Sequence, residues 1–568
     1  MNGAEALIRC LEQEDVRHIF GILGGAIMDV YDVLYDDSSI KHILCRHEQV
    51  AAQAAGGYAR ASGKTGTCMA TSGPGATNLT TGITDAFIDS VPVVAITGQV
   101  PTTAIGGDSF QEADIVGITM PITKYNYLLE GVDEIPKTVK EAYHIANTGR
   151  PGPVLIDFPK DIQRAEMGKF NYPKTISMEG YNPVLKGHPR QIKLAVSALM
   201  EAEKPVIVAG GGVIISNASR QLVQFAELLG IPVTTTSMGK GSIAENHPLG
   251  LGMLGMHGNK WANLAIQESD CLFAIGTRFS DRITGNVGHF APNAKIIHAD
   301  IDPSEIGKNV RVDIPIVGDA KTVLEDLTTI ASAAAKKEAE RKNKHTAWGK
   351  HLEEMKKTFR QDMNKEDIPI KPQRIMKEVQ GIIDKNPQKV IITTEVGRNQ
   401  LWSMHYLNIR YPRHFLTSGG LGCMGAGFPM AIGAKVARPE CTLLNMAGDG
   451  SFQMTMQDLA TCMAYDIPVV NVIMEDSSLG NVRMWQALFY NRRYSQTDLV
   501  NNPDFEKIAE AYGAWGKKIE KPGEIKEAIE EAIKSGKPAI VDIIIDRDEC
   551  VYPMVPPGGM LHKMLDEK

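Results

Sequence analysis

Short apolar runs alternate along most of the chain with stretches in which apolar residues recur every three or four positions. The short runs predict β-strands, and the periodic stretches predict amphipathic helices. Strands that alternate with helices in this way are typical of α/β domains with parallel sheets. The chain has 568 residues, which at about 150 residues per domain suggests three or four domains.

Two breaks in this alternation divide the chain into three blocks. The polar stretch EMGKFNYPKTISMEGYNPVLKGHPR predicts a surface linker, and the charged segment AAAKKEAERKNKHTAWGKHLEEMKKTF predicts a solvated helix between domains. We therefore expect three doubly wound parallel-sheet domains, over residues 1–165, 186–335 and 370–550. The tail, residues 551–568, is too rich in proline and glycine to predict a core element.

Composition and charge exclude several classes of protein. A net charge of -7 leaves no basic surface for nucleic acid, and no apolar run reaches the roughly 18 residues that span a bilayer. The N-terminus starts directly with a helical pattern, so no targeting segment is predicted. The eight cysteines stand singly, without a C-x-x-C pair, which indicates a reducing compartment, the cytoplasm.

Carboxylates follow two neighbouring strands predicted in the third block. Asp449 follows the run CTLLNMAG, and Asp476 follows IPVVNVIME. Between them Ser451 is predicted to cap one helix, with its apolar face formed by Phe452, Met456, Leu459, Ala460 and Met463. A strand–helix–strand unit brings both strand ends to the same edge of the sheet.

Two facing carboxylates repel each other unless a cation lies between them. Mg²⁺ suits this position because it binds carboxylates together with phosphate oxygens, and glycines allow backbone amides to approach a phosphate. The alternative is an aspartate that caps a tight turn beside a solvated acidic pair. Because both strand ends belong to one crossover unit, the metal and a diphosphate are favoured.

The Gly-Asp-Gly stretch followed at this distance by a carboxylate resembles the Mg²⁺–diphosphate motif of thiamine-diphosphate enzymes. Other segments, in chain order, resemble the catalytic subunits of the acetohydroxyacid (acetolactate) synthase family. They are RHEQVAAQAAGGYARASG, TSGPGATN, TGQVPTTAIGGDSFQEADIVG, GRPGPVLIDFPKD, RFSDRITG, TSGGLGCMGAG, RMWQALFYNRRYSQT and PMVPPGG. The resemblance covers nearly the whole chain and implies a pyrimidine-binding, a central FAD-binding-like and a diphosphate-binding domain.

The resemblance also implies which residues hold thiamine diphosphate. Glu48 would contact the aminopyrimidine ring, where a carboxyl that shares a proton with a ring nitrogen promotes ionisation of the cofactor. The implied Mg²⁺ ligands are Asp449, Asp476 and Ser478. The other implied contacts are Gly25, Val396, Gly397, Arg398, Asn399, Gly422, Met424, Gly448, Gly450 and Ser451, with Met424 as the bulky residue that bends the cofactor.

The implied reaction decarboxylates pyruvate and transfers a two-carbon unit to a second 2-ketoacid, pyruvate or 2-ketobutyrate, in branched-chain amino-acid biosynthesis. Arg282 would bind the carboxylate of the acceptor, which suits a guanidinium. Trp485 would favour 2-ketobutyrate by packing on its extra methyl group. Phe110, Gln111 and Lys160 match residues that line the channel above the cofactor, the last two as catalytic residues.

A second cofactor and an assembly follow from the same resemblance. Because the reaction transfers no net electrons, FAD would be structural or vestigial; its implied contacts are Arg150, Gly210, Gly211, His257, Arg278, Asp300 and Asp319. The active sites would lie between the first domain of one chain and the third of another, in a homodimer or tetramer. A separate regulatory subunit is compatible with this resemblance.

The chain departs from the family pattern at four places near the implied site. Asp476 replaces asparagine, Arg398-Asn399 replaces Gln-His, Ile22-Leu23 replaces Tyr-Pro, and Asn481 replaces methionine. We expect the charges of Arg398 and Asp476 to compensate each other. The alternatives are another thiamine-diphosphate decarboxylase or carboligase, and a cofactor-binding paralogue without turnover, against which Glu48 argues.

Overall fold

The computed structural model describes residues 1–36, 39–335, 345–359 and 362–566. Within these ranges the chain forms three sheets of six parallel strands each. The prediction of three parallel-sheet α/β domains is confirmed. Every helix in the described ranges is too short or too polar to cross a lipid bilayer.

The N-terminal sheet has the strand order β2-β1-β3-β4-β6-β5. Its strands are β1 (His18–Gly21), β2 (Lys41–Leu44), β3 (Gly66–Ala70), β4 (Val93–Gln99), β5 (Tyr125–Leu128) and β6 (Val154–Pro159). Its helices are α1 (Gly3–Gln13), α2 (Met28–Asp36), α3 (Glu48–Ser62), α4 (Pro74–Asn78), α5 (Thr80–Ile88), α6 (Ile115–Thr119), α7 (Ile135–Asn147) and α8 (Lys160–Arg164). The order reverses between β1 and β3, where doubly wound sheets form a ligand crevice.

The central sheet has the order β12-β11-β10-β7-β8-β9 and reverses between β7 and β10. Its strands are β7 (Pro205–Ala209), β8 (Val233–Thr235), β9 (Gly250–Met253), β10 (Cys271–Ile275), β11 (Lys295–Asp300) and β12 (Ile314–Val317). Its helices are α9 (Pro189–Glu201), α10 (Gly211–Ile215), α11 (Ser219–Leu229), α12 (Lys260–Glu268), α13 (Asp281–Thr284) and α14 (Ala320–Ala335), followed by α15 (Thr346–Phe359).

The C-terminal sheet repeats the topology of the N-terminal one, with the order β14-β13-β15-β16-β18-β17. Its strands are β13 (Val390–Thr394), β14 (Phe415–Leu416), β15 (Thr442–Gly448), β16 (Val469–Glu475), β17 (Trp515–Ile519) and β18 (Ala539–Ile544). Its helices are α16 (Pro372–Lys385), α17 (Arg398–Tyr406), α18 (Gly427–Ala437), α19 (Asp449–Phe452), α20 (Leu459–Ala464), α21 (Gly480–Phe489), α22 (Phe505–Tyr512) and α23 (Ile525–Ser535). The reversal between β13 and β15 places a crevice beside Asp449.

Helices α3 and α18 join the N- and C-terminal domains through small residues. Gly57 and Ala54 of α3 face Met430 and Gly433 of α18 so closely that a Cβ on either glycine would overlap the backbone of the other helix. Residues of both domains belong to one continuous apolar core. Glycine at these positions is therefore required by the short distance between the helices.

Two sequence predictions outside the sheets are wrong in part. Part of the predicted solvated helix between domains, residues 336–344, lies outside the described residues. The part that follows forms α15, in which Trp348, Leu352 and Met355 are buried. The proline-rich tail contributes Val551 and Met554 to the apolar core of the C-terminal domain. Both segments pack against domains because a few apolar side chains suffice to dock a short segment.

Candidate active site

The carboxyl ends of β15 and β16 meet at one edge of the C-terminal sheet. The two strands are parallel neighbours, with Gly448 opposite Met474. Asp449 follows β15, and Asp476 follows β16 after Glu475. Asp449 and Asp476 both line one cavity of about 60 Å³. The structure thus brings together the two acidic strand ends that the sequence singled out.

Asp449 is held in a buried position. Its side chain is almost fully excluded from solvent, and its Oδ2 accepts a hydrogen bond from Asn502 Nδ2 at 2.5 Å. Burial, together with the nearby charge of Glu475, raises the pKa of the Asp449 carboxyl to about 6. A cation in the cavity would favour the ionised form and offset this cost.

The segment after Asp449 differs from the single helix that the sequence predicts. It forms the short helix α19, then a 3₁₀ turn over Met456–Asp458, and then α20. Ser451 lies inside α19, where its hydroxyl donates to the Gly448 carbonyl at 3.1 Å, so it is not the predicted N-cap. Phe452 and Leu459 are nevertheless buried, because both short helices turn apolar residues towards the same core.

Asp476 uses both of its carboxylate oxygens for contacts within the chain. Oδ1 accepts hydrogen bonds from the backbone N–H and the hydroxyl of Ser478, each at 2.9 Å. Oδ2 contacts Nη2 of Arg398 in a buried ion pair. Nη1 of Arg398 donates to the backbone carbonyls of Arg547 and Glu549. The two residues whose charges were expected to compensate each other are therefore in direct contact.

The cavity has donors suited to a phosphate group. Helices α17 and α21 begin at its wall, and their preceding residues, Gly397 and Leu479, make no side-chain cap. Uncapped N–H groups at a helix start attract anions. Nε of Arg398 also lacks a hydrogen-bond partner within the described part of the chain. These free donors fit a diphosphate.

The same cavity provides oxygen ligands for a divalent cation. Among the described residues no cluster of three or more His, Cys, Asp or Glu side chains could hold a metal ion. The cavity offers two carboxylates, those of Asp449 and Asp476, and the third protein ligand would be an oxygen of Ser478. Mg²⁺ is commonly held by one or two carboxylates together with water and phosphate oxygens. The donor set fits Mg²⁺ in the presence of a diphosphate.

Most of the residues with an implied diphosphate or thiazolium contact lie around this cavity. Its wall includes Val396, Gly397, Arg398, Asn399, Met424, Gly448, Gly450 and Ser451. Asn399 turns its amide Nδ2 to the backbone carbonyls of Glu395 and Met446, at 3.0 and 2.8 Å. It therefore ties the end of β13 to β15. Gly422 lies instead at the wall of the larger cleft.

Glu395 is a site residue that the sequence analysis missed. Its buried carboxylate accepts hydrogen bonds from the backbone N–H groups of Gly425 and Phe428, both at 2.8 Å, and so holds the loop that carries Met424. Burial raises the pKa of Glu395 to about 7. The acidic residue directly after the β-branched run VIITT was the available signal.

A second group of predicted residues lies at the edge of the N-terminal sheet. Glu48 is the first residue of α3, and its Oε2 accepts a hydrogen bond from Asn78 at 2.9 Å. Lys160 donates to the Gly25 carbonyl at 2.8 Å. Gln111 has a φ of +59° on an exposed loop. Glu48 is not among the residues at the wall of the cavity beside Asp449 or of the larger cleft.

The exposed loop places Phe110 beside Gln111, and Phe110 is 90% exposed. The predicted channel residue therefore lies on the surface of the single chain.

A cleft of about 720 Å³ lies at the reversal between β7 and β10 and reaches the C-terminal domain. Of the residues implied for FAD, it is lined by Arg150, Gly211, His257, Arg278, Asp300 and Asp319, but not by Gly210. A Cβ on Gly210 would overlap the backbone of Gly276. Gly210 therefore packs closely between the ends of β7 and β10, and its contact with FAD stays a prediction.

Polar groups without partners line this large cleft. In the described ranges Nδ1 of His257 and Oγ1 of Thr277 have no hydrogen-bond partner. Burial lowers the pKa of His257 to about 3, so its ring is neutral. Burial raises the pKa of Asp300 to about 6. A polar dinucleotide would satisfy these groups, and the size and lining of the cleft fit one.

Arg282 and Trp485 meet where this cleft approaches the smaller cavity. The guanidinium carbon of Arg282 lies 6.0 Å from the centroid of the Trp485 ring. Val396 and Asn481 line both spaces, so the implied acceptor site is adjacent to the implied diphosphate site. The side-chain oxygen of Asn481 is buried and has no hydrogen-bond partner in the part of the chain that the structure describes.

Comparisons with known proteins agree with this arrangement. Three family models match, described as the N-terminal TPP binding domain (residues 1–118), the central domain (192–327) and the C-terminal TPP binding domain (395–543) of thiamine pyrophosphate enzymes. A probable acetolactate synthase large subunit of Methanocaldococcus jannaschii is 55% identical over 99% of this chain and 94% of its own. The chain belongs to the acetolactate synthase family.

Further relatives show the same full-length match. The acetolactate synthase of Mycobacterium leprae is 47% identical over 98% of this chain and 89% of its own. The acetolactate synthase large subunit of Haemophilus influenzae is 43% identical over 100% of this chain and 98% of its own. This chain is thus a thiamine-diphosphate-dependent enzyme of the acetolactate synthase family.

In this acetolactate synthase family member, a buried charge cluster that the sequence analysis missed links two domains. Nη2 of Arg60 in α3 pairs with Asp85 at 3.0 Å and with Asp89 at 2.9 Å. Asp89 also accepts the backbone N–H groups of Gly419 and Gly420 from the C-terminal domain. The cluster therefore holds the loop between the two cavities. The mixed segment TTGITDAFIDS around Asp85 has no pattern that predicts it.

Proposed function

We propose that this chain is the catalytic subunit of an acetolactate synthase that joins two 2-ketoacids with loss of carbon dioxide. The donor is pyruvate, and the acceptor is pyruvate or 2-ketobutyrate, as in branched-chain amino-acid biosynthesis. One observation supports this most strongly: Asp449 and Asp476 line one cavity with two uncapped helix starts. These groups suit a cation and a diphosphate in a chain of this family.

The cofactor and its cation would be held at that cavity. Asp449, Asp476 and Ser478 would bind Mg²⁺, and the N–H groups at the starts of α17 and α21 would bind the diphosphate. When bound, thiamine diphosphate supplies an electron sink for the decarboxylation of a 2-ketoacid. Glu395 would keep the Met424 loop beside it, because its carboxylate holds two backbone N–H groups of that loop.

Arg282 and Trp485 would select and orient the acceptor. The Arg282 side chain is half exposed at the cleft, so its guanidinium is accessible to a carboxylate, which it can bind with two parallel hydrogen bonds. The Trp485 ring beside it would contact the alkyl end of the acceptor. A methylene is worth about 1–3 kcal/mol in such a pocket, so a preference for 2-ketobutyrate is expected, not absolute selection.

The complete site would need a second copy of the chain. Glu48, Gln111 and Lys160 lie at the edge of the N-terminal sheet, and Glu48 is not at the wall of either cavity. The Phe110 ring beside them is exposed. A homodimer would cover this surface and bring Glu48 of one copy to the cavity of the other. Higher assembly and a regulatory subunit would build on that dimer.

The large cleft would hold FAD in a structural role. The joining of two ketoacids transfers no net electrons, so no step requires a flavin. His257, Arg278 and Asp300 would contact it, because they line the cleft with polar groups. All eight cysteines lie in the described ranges and are free, which supports a reducing compartment such as the cytoplasm.

Product analysis tests the proposed reaction. Purified protein is incubated with pyruvate, Mg²⁺, thiamine diphosphate and FAD, and acetolactate is the expected product. Asp449→Asn should abolish it, whereas the control Asp504→Asn should not, because Asp504 is an exposed helix N-cap and asparagine caps equally well. Acetaldehyde as the main product would indicate a decarboxylase instead, and no product would indicate a paralogue without turnover.

The decarboxylase or a different carboligase is the second candidate function. The unpaired side-chain oxygen of Asn481, between the two cavities, favours it, because a polar acceptor could use this group. Ile22 and Leu23 also depart from the family pattern, and Leu23 is exposed at the N-terminal edge. Testing a series of acceptor ketoacids and aldehydes separates these candidates.

A further inference from the structure

Arg398 and Asp476 form a buried ion pair inside the cavity that we propose for the diphosphate. The two side chains are only 3% and 6% exposed. Oδ2 of Asp476 contacts the guanidinium, and Oδ1 is occupied by the N–H and hydroxyl of Ser478. Both oxygens of Asp476 are therefore already used by donors of the chain itself.

This pairing weakens the site for each ligand taken alone. A divalent cation at Asp476 would stand beside the Arg398 guanidinium, and like charges at such a distance repel in a partly desolvated site. A phosphate meets the opposite problem, because Asp476 neutralises part of the positive charge of Arg398. A cation alone or a diphosphate alone thus meets charges that are already compensated.

Other contacts would keep Arg398 at the cavity when its carboxylate partner changes. Nη1 donates to the carbonyls of Arg547 and Glu549, and the guanidinium carbon lies 5.4 Å from the centroid of the Trp402 ring. A Cβ on Gly480 would lie 2.5 Å from Nε of Arg398. The missing side chain at position 480 therefore leaves room for the guanidinium beside the start of α21.

We propose that Arg398 and Asp476 form an exchange pair that links cation binding to diphosphate binding. In the chain without ligands, Arg398 neutralises Asp476. When a cation and a diphosphate bind together, Asp476 becomes a ligand of the cation, and Arg398 donates to the phosphate. Each ligand removes the group that opposes the other, so the two raise each other's affinity. This inference rests on the proposed diphosphate site and adds a linkage to it.

Calorimetric titration of the full chain with Mn²⁺ alone, and with inorganic pyrophosphate alone, tests the exchange pair. Wild type is compared with Arg398→Gln and Asp476→Asn. Arg410→Gln is the matched control, because Arg410 pairs with Asp384 outside the cavity. Circular dichroism checks that each variant is folded. Neither titration requires turnover or the thiamine part of the cofactor.

The exchange pair predicts opposite effects in the two single variants. Mn²⁺ alone should bind Arg398→Gln at least about tenfold more tightly than wild type, which corresponds to about 1.4 kcal/mol. Pyrophosphate alone should bind Asp476→Asn at least about tenfold more tightly and Arg398→Gln more weakly. The Arg410→Gln control should match wild type in both titrations.

Equal Mn²⁺ affinity in wild type and Arg398→Gln, or equal pyrophosphate affinity in wild type and Asp476→Asn, would overturn the exchange pair. If Arg398→Gln does not fold, the Asp476→Asn titration decides by itself. Acetolactate formation is measured separately. If the affinity changes are observed but no acetolactate forms, only the proposed reaction is overturned. If acetolactate forms but the affinity changes are not observed, only the exchange pair is overturned.

Discussion

Replacing Gly433 by alanine tests whether the close contact of α3 and α18 holds the N- and C-terminal domains together. A Cβ on Gly433 would lie 2.7 Å from the carbonyl carbon of Ala54 and 2.7 Å from the backbone nitrogen of Tyr58. Both neighbours are backbone atoms of α3, which cannot rotate away. The new methyl group must therefore push the two helices apart.

The size of the effect follows from this geometry. Carbon atoms in contact are normally about 3.5–4.0 Å apart, and the carbonyl oxygen of Ala54 would be closer still to the new Cβ, so the helices must separate by more than about 1 Å. Overpacking a well-packed core costs about 1–3 kcal/mol, and we expect about 3 kcal/mol because no flexible side chain can yield. An unfolding entropy of about 2.1 cal/mol/K per residue corresponds to about 0.8 °C per kcal/mol for a chain of 568 residues, so the thermal midpoint should fall by about 2.5 °C.

Thermal denaturation of the full chain measures this effect, with Gly381→Ala as the matched control. Gly381 lies in α16, and a Cβ there would meet nothing within 4 Å. Because alanine is favoured over glycine in a helix by about 1 kcal/mol, the control should keep or raise the midpoint. A Gly433→Ala midpoint equal to that of wild type would refute the close packing of α3 on α18.

Three further predictions concern charged residues. Burial raises the pKa of Asp449 from 3.8 to about 6, so its charge destabilises the cation-free fold progressively as the pH rises from 3.8 to about 6, by about 2–3 kcal/mol in total at neutral pH. This cost disappears as the pH falls below 3.8. Asp449→Asn should therefore raise the thermal midpoint at pH 7 in EDTA, and it should also remove the stabilisation by Mg²⁺. An unchanged midpoint in EDTA would contradict the raised pKa. Arg60→Met leaves the buried carboxylates of Asp85 and Asp89 without their cation and should cost about 3–5 kcal/mol in stability, whereas a midpoint equal to that of the exposed control Asp504→Asn would show that the cluster does not stabilise the fold. Arg282→Gln should lower kcat/KM for acetolactate formation by roughly 10–100-fold, the value of a lost charged hydrogen bond of about 1.5–3 kcal/mol, and an unchanged dependence on acceptor concentration would place the acceptor elsewhere.

The sequence by itself determined the three parallel-sheet domains and the meeting of the acidic strand ends. Buried strands such as β15 and β16 are nearly continuous apolar runs, because both faces of a parallel sheet are covered. Asp449 and Asp476 could be placed together without a structure, since a strand–helix–strand crossover returns both carboxyl ends to one edge. These features depend on patterns within a single supersecondary unit.

Other features were decided only when distant segments packed together. The carbonyls of Arg547 and Glu549 hold Arg398 against Asp476, and the proline-rich tail buries Met554. The role of Glu395 depends on a loop that β13 meets only after the domain folds. Local periodicity specifies which residues face the interior of one element, whereas these contacts depend on how separate elements dock, and that is determined by the combined packing and desolvation of the whole chain.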